Sequence, residues 1–286
     1  YGENNPELIP LMKEISQWHV NTYLQTGGRN DGYHLEISFQ LYSDAIRLSK
    51  EGQEKENIKT LSLMNDLATT CYYLSAHQQL YPDFGNFGAS MPFGYRPMTP
   101  ANSVQGRGAY FKHGKLIQEE IIQTLQENTN FTTIEKALGQ TSLGDWYLLF
   151  GKYQLALNAH REAYNIMAEN KPGLEALDKI YSKPVMLPKR TNFFDLQEPN
   201  KSKKITKLNN NSSQSLTVNY VNLLIDVTAT GKATNFNIQK IYPEEMHKYG
   251  EQAIETVRSR KFRPRIKDGV PELTTGFPIR VILSNE

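Results

Sequence analysis

Hydrophobic residues in the first half of the chain recur about once per helical turn. This spacing predicts helices over residues 9–23, 35–48 and 58–80. The stretch 81–115 interrupts the rhythm, because its repeated Pro and Gly residues are unfavourable inside a helix. We therefore expect a long irregular loop there, with helices resuming at Lys115 and again at Thr133.

The predicted loop over residues 81–115 is rich in aromatic side chains. They are Phe84, Phe87, Phe93, Tyr95 and Tyr110. Long loops inside compact domains are uncommon and often carry function, so contact with a ligand is one interpretation. In the other interpretation these aromatic side chains only pin the loop onto the helices.

Small and aromatic residues alternate in a specific order from Leu143 onward. The order is Leu143, Gly144, Tyr147, Gly151, Tyr153, Ala156, Ala159 and Ala163. Small side chains at Gly144 and Ala156 allow two helices to approach closely, and Gly151 permits a turn between them. The spacing resembles the tetratricopeptide repeat. It implies an amino-terminal domain of paired antiparallel helices, which we assign to residues 1–182.

A basic segment with three prolines separates this domain from the rest of the chain. Pro184, Pro188 and Pro199 precede an Asn- and Ser-rich tract at residues 209–213. Neither a helix nor a strand tolerates this composition well, so residues 183–215 are predicted to be an interdomain linker. Its lysines are interpreted as solvated or as a contact for an anionic surface.

Beyond the linker, apolar residues recur with the period of two that is typical of strands. Val221, Leu223, Ile225 and Val227 define one apolar face, and Gly231 allows the turn into a second strand. A helix is predicted after Pro243, with acidic residues near its start and basic residues near its end. Residues 275–283 alternate again as a last strand. The predicted order over residues 216–286 is strand, strand, helix, strand.

This order and several short motifs together resemble the carboxy-terminal domain of TonB-type energy transducers. The motifs are Val227-Thr228-Ala229-Thr230-Gly231-Lys232, a helix with Ala253 and Val257, Arg260-Lys261-Phe262-Arg263-Pro264, and Lys267-Asp268-Gly269. The resemblance implies a ββαβ fold in which Phe262 anchors the helix end and Pro264 turns the chain. It also implies a periplasmic module that binds a protein partner, often a short peptide of an outer-membrane receptor. The fold expected for the whole chain is therefore α+β with two domains.

The last strand is the predicted binding site. Its position after the helix makes it a candidate edge of the sheet, where an extended peptide can pair with the backbone. The candidate peptide-binding residues are Thr275, Phe277, Ile279, Arg280, Val281 and Leu283. A basic stretch is expected to be solvated or to steer an acidic peptide. Its candidate steering charges are Arg258, Arg260, Arg263, Arg265 and Lys267.

Several other classes of function have no pattern in this sequence. A net charge of +2 lacks the strong positive field of a general nucleic-acid binder. The six histidines are scattered without the spacing of a helical zinc site, and Cys71 is interpreted as a small core residue. No nucleophile and base can be paired, and no phosphate loop is present. We expect neither an enzyme, nor a cofactor, nor a metal site.

The sequence favours a periplasmic adaptor with two binding regions. The carboxy-terminal sheet would recruit a receptor peptide in outer-membrane transport, and the helical domain would dock a second protein. The alternative is an envelope scaffold that reuses the TonB-like fold without a transport role. Because the chain starts at Tyr1, a leader or an inner-membrane anchor is expected upstream in the full-length protein.

Overall fold

The chain folds as an α+β protein, with its helices first and its antiparallel strands mostly at the carboxy-terminal end. A computed structural model describes residues 5–26, 29–52, 58–81, 108–169, 171–188, 219–244 and 248–283. The helices are α1 (Ile9–Thr26), α2 (Gly32–Glu51), α3 (Ile58–Leu80), α4 (Ala109–Glu127), α5 (Thr133–Leu149), α6 (Tyr153–Ala168), α7 (Lys171–Tyr181) and α8 (Lys248–Arg258). The strands are β1 (Val185–Leu187), β2 (Asn219–Val227), β3 (Ala233–Tyr242), β4 (Lys261–Arg263), β5 (Arg265–Lys267), β6 (Val270–Glu272) and β7 (Thr274–Leu283). The predicted α+β class is confirmed.

Helix α4 begins earlier than its sequence pattern indicates. It starts at Ala109, whereas the prediction placed its first residue at Lys115. Gly108 precedes it with φ +81°, a conformation that glycine adopts without strain, and Gly114 is buried inside the helix. Tyr110 therefore belongs to a helix and is buried. The other aromatic residues of the predicted loop lie outside the described residues.

Helix α1 turns much of its predicted apolar stripe outward. Leu11 is 53% exposed and Trp18 is 59% exposed, while Val20 and Tyr23 are buried. Tyr23 belongs to the predicted stripe, which also contains Leu11, Ile15 and Trp18, whereas Val20 lies outside it. Helical spacing thus predicted the helix but not the side that faces the core.

Buried polar residues hold the middle helices of the amino-terminal part together. Asn65 on α3 accepts hydrogen bonds from the Gln118 amide at 3.0 Å and from the Ser142 hydroxyl at 3.3 Å. The two donors lie on α4 and α5, so the amide oxygen of Asn65 joins three helices. Buried polar groups of this kind stabilise a packing arrangement only while they remain paired.

The largest sheet has three antiparallel strands in the order β3-β2-β7. Alternate residues of β2 are buried, and they form one core with α8 and Phe262. The members of this core are Val221, Leu223, Ile225, Val227, Ala233, Tyr249, Ala253, Val257, Phe262 and Val281. The predicted apolar face of this strand is therefore confirmed. Its opposite face is not covered by α8.

Two further pairs of short strands were not predicted. Strands β1 and β4 pair antiparallel, with Met186 opposite Phe262. Strands β5 and β6 form a hairpin whose turn residues, Asp268 and Gly269, have φ of 49° and 73°. Positive φ at both central positions is the backbone twist that tight hairpins prefer. Strands of three residues are too short for alternation to reveal them.

The structure groups the chain differently from the predicted boundaries of 1–182, 183–215 and 216–286. Contacts divide the described residues into one unit up to Leu143 and a second unit from Gly144 onward. Residues 144–188, predicted to belong mostly to the helical domain, fall in the same unit as the carboxy-terminal sheet. Pairing of β1 with β4 is one reason, because it joins residues 185–187 to that sheet region. Most of the predicted linker, from Lys189 to Ser215, lies outside the described residues.

The helical part of the second unit contains the close approach expected from its small residues. A Cβ placed on Gly144 would lie within 2.5 Å of the His160 ring, so only glycine fits opposite this histidine. Ala156, Ala159 and Ala163 are buried on α6. Gly151 has φ +68° in the turn before α6, which favours glycine there. The tetratricopeptide assignment itself remains a prediction.

Candidate functional site

Strand β7 is one edge of the three-stranded sheet. Its only ladder in the described part of the chain is with β2, where Val221 pairs with Val281, Leu223 with Ile279 and Ile225 with Phe277. The edge position was expected from the order of elements. An edge strand presents backbone N–H and C=O groups on its outer side, and these groups can pair with another extended chain.

The side of β7 that faces α8 is apolar and only partly covered. Val281 is buried in the core of the sheet, while Phe277 and Ile279 are half-buried and pack against the same core. Thr275 is exposed at the start of the strand. The side chain of Leu283 lies outside the description, although its backbone pairs with Asn219. An added strand would cover the exposed parts of Phe277 and Ile279.

The face of the sheet away from α8 carries two ordered rows of side chains. In the first, the tyrosine row, Tyr242, Tyr220 and Ile282 lie side by side on β3, β2 and β7. In the second, the cationic row, Lys240, Asn222 and Arg280 lie side by side on the same strands. Of these residues, Arg280 alone was predicted from the sequence, because alternation reveals a face but not which residues of different strands become neighbours.

Arg280 is held flat on this face by two neighbours. Its Nε donates a hydrogen bond of 2.9 Å to the side-chain oxygen of Asn222. Its guanidinium carbon lies 4.3 Å from the centre of the Tyr220 ring, within the range of a cation–π contact. Tyr220 in turn stacks on Tyr242, with ring centres 5.4 Å apart. The charge of Arg280 therefore has a defined position at the sheet edge.

The start of β7 is tied to β2 by a carboxylate. Asp226 accepts hydrogen bonds from the Asn235 amide at 2.7 Å and from the Gly276 backbone N–H at 2.9 Å. These two hydrogen bonds lower the pKa of Asp226 below its usual value, Asn235 having the larger effect. The ladder between β2 and β7 shifts register here, between Ile225 and Val227. Regular pairing with β2 runs without such a shift from Phe277 to the end of β7.

The opposite edge, strand β3, is less regular. Its pairing with β2 shifts register between Asn222 and Leu223 and again between Leu224 and Asp226. Asn235 also adopts a positive φ of 51°. Irregularities of this kind bend a strand and hinder the pairing of a further chain. Of the two edges, β7 is therefore the better template for an extended peptide.

The predicted steering charges do not form one exposed group. Arg258 pairs with Glu255 and lies over the Phe236 ring, and Arg265 pairs with Glu272 at 3.7 Å. Lys267 is exposed and Arg260 is half-buried. These four charges retain contact with solvent. Their steering role remains a prediction.

Arg263 is not an exposed charge, and its predicted steering role is wrong. The residue is 4% exposed, and its Nη1 lies 3.3 Å from Oδ2 of Asp145, which is also largely buried. Its guanidinium also lies over the Tyr181 ring, at 5.4 Å. Strand β4 thus directs this arginine into the helical part of its own unit. The sequence placed Arg263 correctly in a basic run but could not reveal its distant partner.

His160 belongs to the same buried group as Arg263. Its Nδ1 lies 3.3 Å from the Tyr181 hydroxyl, and its Nε2 lies 3.7 Å from Oδ1 of Asp145. Burial, followed by the charge of Arg263, lowers the pKa of His160 to about 3. The same Asp145 carboxylate is paired with Arg263 through its other oxygen. The imidazole is therefore neutral in the folded unit at neutral pH.

The stability of this unit is expected to fall as the pH drops from 6.5 toward 3. The His160 pKa is lower in the folded than in the unfolded state, so the unfolded state binds the additional proton. The expected loss between pH 7 and pH 5 is about 2 kcal/mol. Urea unfolding at the two pH values would measure it, with a His160→Gln variant as the control. An equal pH dependence in that variant would contradict the assignment to His160.

Two histidines that are distant in sequence meet on α1 and α2. Nδ1 of His19 and Nδ1 of His34 lie 2.7 Å apart, and the ring centres are 5.0 Å apart. At these distances the two nitrogens point at each other, which is the geometry of an N–H···N hydrogen bond. A metal chelate would need both lone pairs directed at a third point. The sequence missed this pair because its members are not spaced as helical neighbours.

Across the described ranges, no cluster of three or more His, Cys, Asp or Glu side chains could hold a metal ion. Cys71 is buried, and burial raises the pKa of its thiol.

No helix in the portion of the chain that the structure describes is both long and apolar enough to cross a membrane.

Comparison with known proteins adds no relative. Protein-family models, curated proteins and solved structures contain no match to this chain. The resemblance to the TonB carboxy-terminal domain therefore remains a prediction, based on the motifs and the order of elements. The geometry provides an edge strand, β7, that borders the tyrosine row and the cationic row.

Proposed function

We propose that this protein is a TonB-like periplasmic adaptor that binds an extended peptide of a protein partner along β7. The observation that carries the proposal is the regular edge of the three-stranded sheet from Phe277 to Ile282. Its half-buried apolar side chains and outward backbone groups fit an added strand, in which main-chain pairing supplies much of the affinity. The partner class proposed is a periplasmic segment of an outer-membrane receptor.

Pairing at this edge does not require an enzyme site, a cofactor or a metal ion. The backbone supplies hydrogen bonds, and the half-buried Phe277 and Ile279 supply apolar surface that a partner strand would cover. The exposed residues of the basic stretch, such as Lys267, would favour the approach of an acidic segment. A docking role for the amino-terminal helices remains a separate part of the proposal.

A backbone substitution at the edge tests the proposal. A proline in an edge strand has its nitrogen on the solvent side. Ile282 lies four residues after Pro278 on β7, so its backbone N–H also points away from β2. Ile282→Pro should therefore remove an outward N–H while leaving the ladder with β2 intact. Losing one hydrogen bond should weaken peptide binding roughly two- to tenfold. Ile282→Val is the matched control, because it keeps the N–H group.

Binding can be followed by titrating the isotope-labelled full chain with receptor-derived peptides. Backbone amide shifts in NMR spectra should concentrate on residues 277–283, and Ile282→Pro alone should raise the dissociation constant. Shifts confined to the helices before Gly144, or equal binding by both variants, would contradict pairing at β7. Binding of envelope proteins without any shift at β7 would favour the scaffold alternative.

A further inference from the structure

We infer that the partner strand carries an acidic side chain beside Arg280 and an apolar side chain two residues away, beside Ile282. The inference rests on the proposed function, which supplies a strand paired with β7. Arg280 and Ile282, on the same face of the sheet, then determine which side chains the bound peptide carries. A fourth strand paired with β7 would extend both the tyrosine row and the cationic row.

Every second residue of β7 has its side chain on the face away from α8, and these residues are the ones that meet the partner there. Pro278, Arg280 and Ile282 alternate with residues whose side chains join the core. Since the proline nitrogen faces solvent, the backbone groups of Arg280 and Ile282 also point away from β2. A residue paired directly with Arg280 therefore has its side chain beside the guanidinium. The residue two positions away then lies beside Ile282.

Charge on this face favours an acid beside Arg280. The cationic row holds Lys240 and Arg280 on either side of Asn222, and neither row contains an acidic residue. The nearest carboxylate on the same face of β2, Asp226, is hydrogen-bonded to Asn235 and Gly276. Opposite charges on directly paired residues stabilise a sheet, and like charges destabilise it. A basic residue at this position would be disfavoured.

Arg280 is already positioned to donate hydrogen bonds to a carboxylate. Asn222 binds Nε, which leaves the two terminal NH₂ groups directed away from this contact. Among the described residues those two groups have no hydrogen-bond partner. Contact with the Tyr220 ring restricts the side chain further. Because the guanidinium is ordered before binding, less conformational entropy is lost when a carboxylate pairs with it.

Ile282 selects for an apolar neighbour. It is 68% exposed at the end of the tyrosine row, although it is paired directly with Tyr220 on β2. An aliphatic or aromatic side chain on the added strand would cover Ile282 and continue this row. Cross-strand pairs of aromatic and β-branched residues are among the favourable contacts in sheets. The peptide therefore presents an acidic and an apolar side chain on the same side, two positions apart.

Selection from a displayed library of random ten-residue peptides tests the inference. The full chain, Arg280→Glu and Lys240→Glu would be screened in parallel. Peptides selected by the native chain and by Lys240→Glu should carry Asp or Glu two positions from an apolar residue. Arg280→Glu should replace that acid by Lys or Arg, and it should bind the native-selected peptides about tenfold more weakly. Lys240 is a matched control, because it occupies the same row at the other edge.

Each alternative result has a distinct meaning. Selected peptides that pair with β7 but lack the acidic and apolar positions would overturn the inference and leave the proposed function intact. A charge preference that reverses with Lys240→Glu would place the peptide at β3, and it would overturn both. Absence of enrichment on all three chains would also overturn both.

Folding of the variants is checked before selection. Trp146 is buried in the same unit as Arg280, so in a Trp18→Phe background its fluorescence reports whether that unit is folded. If Arg280→Glu is unfolded, Arg280→Gln replaces it, and selection should then lose its preference for an acid. An undiminished acidic preference with Arg280→Gln would overturn the role of this arginine. Asn222→Ala should reduce the preference for the acid while leaving the apolar preference unchanged.

Discussion

Replacing Arg263 by Met should lower the unfolding free energy of the second unit by about 3 to 5 kcal/mol, because it leaves the Asp145 carboxylate buried without its cation. The two side chains are only 5% and 12% exposed, and they lie 3.3 Å apart. Removing one partner of a buried pair is far more damaging than removing both, since an uncompensated charge remains.

A second arginine two positions along provides the matched control. Arg265 also pairs with a carboxylate, that of Glu272, but their side chains are 44% and 40% exposed. Exposed ion pairs contribute little, so Arg265→Met should change the unfolding free energy by less than about 1 kcal/mol. The contrast between the two arginines separates the effect of burial from the loss of a positive charge.

The protein has two tryptophans, and each unit contains one. Trp146 lies in the second unit and is 3% exposed, whereas Trp18 lies in the first and is 59% exposed. A Trp18→Phe background therefore leaves a single fluorescent reporter of the second unit. Urea unfolding of both arginine variants in this background gives the two free energies directly.

A double variant strengthens the test of Arg263. If the single variant is destabilised by the unpaired carboxylate, Arg263→Met combined with Asp145→Leu should recover part of the lost stability. Equal stability of Arg263→Met and Arg265→Met would contradict the buried pair. It would also remove one structural reason for grouping residues 144–188 with the carboxy-terminal sheet.

Phe262→Ala should destabilise the same unit by about 3 to 5 kcal/mol through loss of buried surface and creation of a cavity. The Phe262 side chain is fully buried in the core formed by β2 and α8. Its backbone N–H also donates a 2.9 Å hydrogen bond to the carbonyl of Gly231. The ring is therefore held in place by both β4 and the turn between β2 and β3.

Phe236 is the control for Phe262, because it packs against the same core but is only partly buried. Phe236→Ala should reduce the unfolding free energy by clearly less than Phe262→Ala, in proportion to the smaller area removed from water. Trp146 fluorescence in the Trp18→Phe background measures both. A larger loss for Phe236→Ala would contradict the central position assigned to Phe262.

These stability tests bear on how the proposed binding edge is held. Strand β7 pairs with β2, and β2 shares its core with Phe262. Strand β4 carries both Phe262 and Arg263, and successive residues of a strand point to opposite sides. One side chain therefore supports the sheet core, while the next enters the helical part of the unit. Isolating residues 216–286 would remove the partner of Arg263 and strand β1.

Local periodicity predicted most of the regular elements. Alternation of Val221, Leu223 and Ile225 required a strand with one buried face, and this face is buried in the structure. Gly231 marked the turn into the second strand, and it has a φ of 73°, which glycine adopts without strain. Such features depend on neighbours within a few residues. A single sequence therefore contains enough information to predict them.

Orientation and long-range pairing were harder to predict. Leu11 and Trp18 marked α1 as a helix, but which side of it packs depends on what the other helices present. Strands β1 and β4 are three residues each and lie far apart in sequence. Arg263 looked like one more solvated charge in a basic run. Its burial depends on Asp145, which is 118 positions away.

The sequence by itself determined the α+β class and the strand at residues 275–283, and it made Arg280 a candidate binding residue. These features follow from local spacing and side-chain chemistry. Tertiary structure alone decided that Arg280 lies beside Asn222 and Tyr220, and that Arg263 is buried against Asp145. Register between strands and packing between helices arise from contacts among distant residues. Periodicity along one segment carries no information about those contacts.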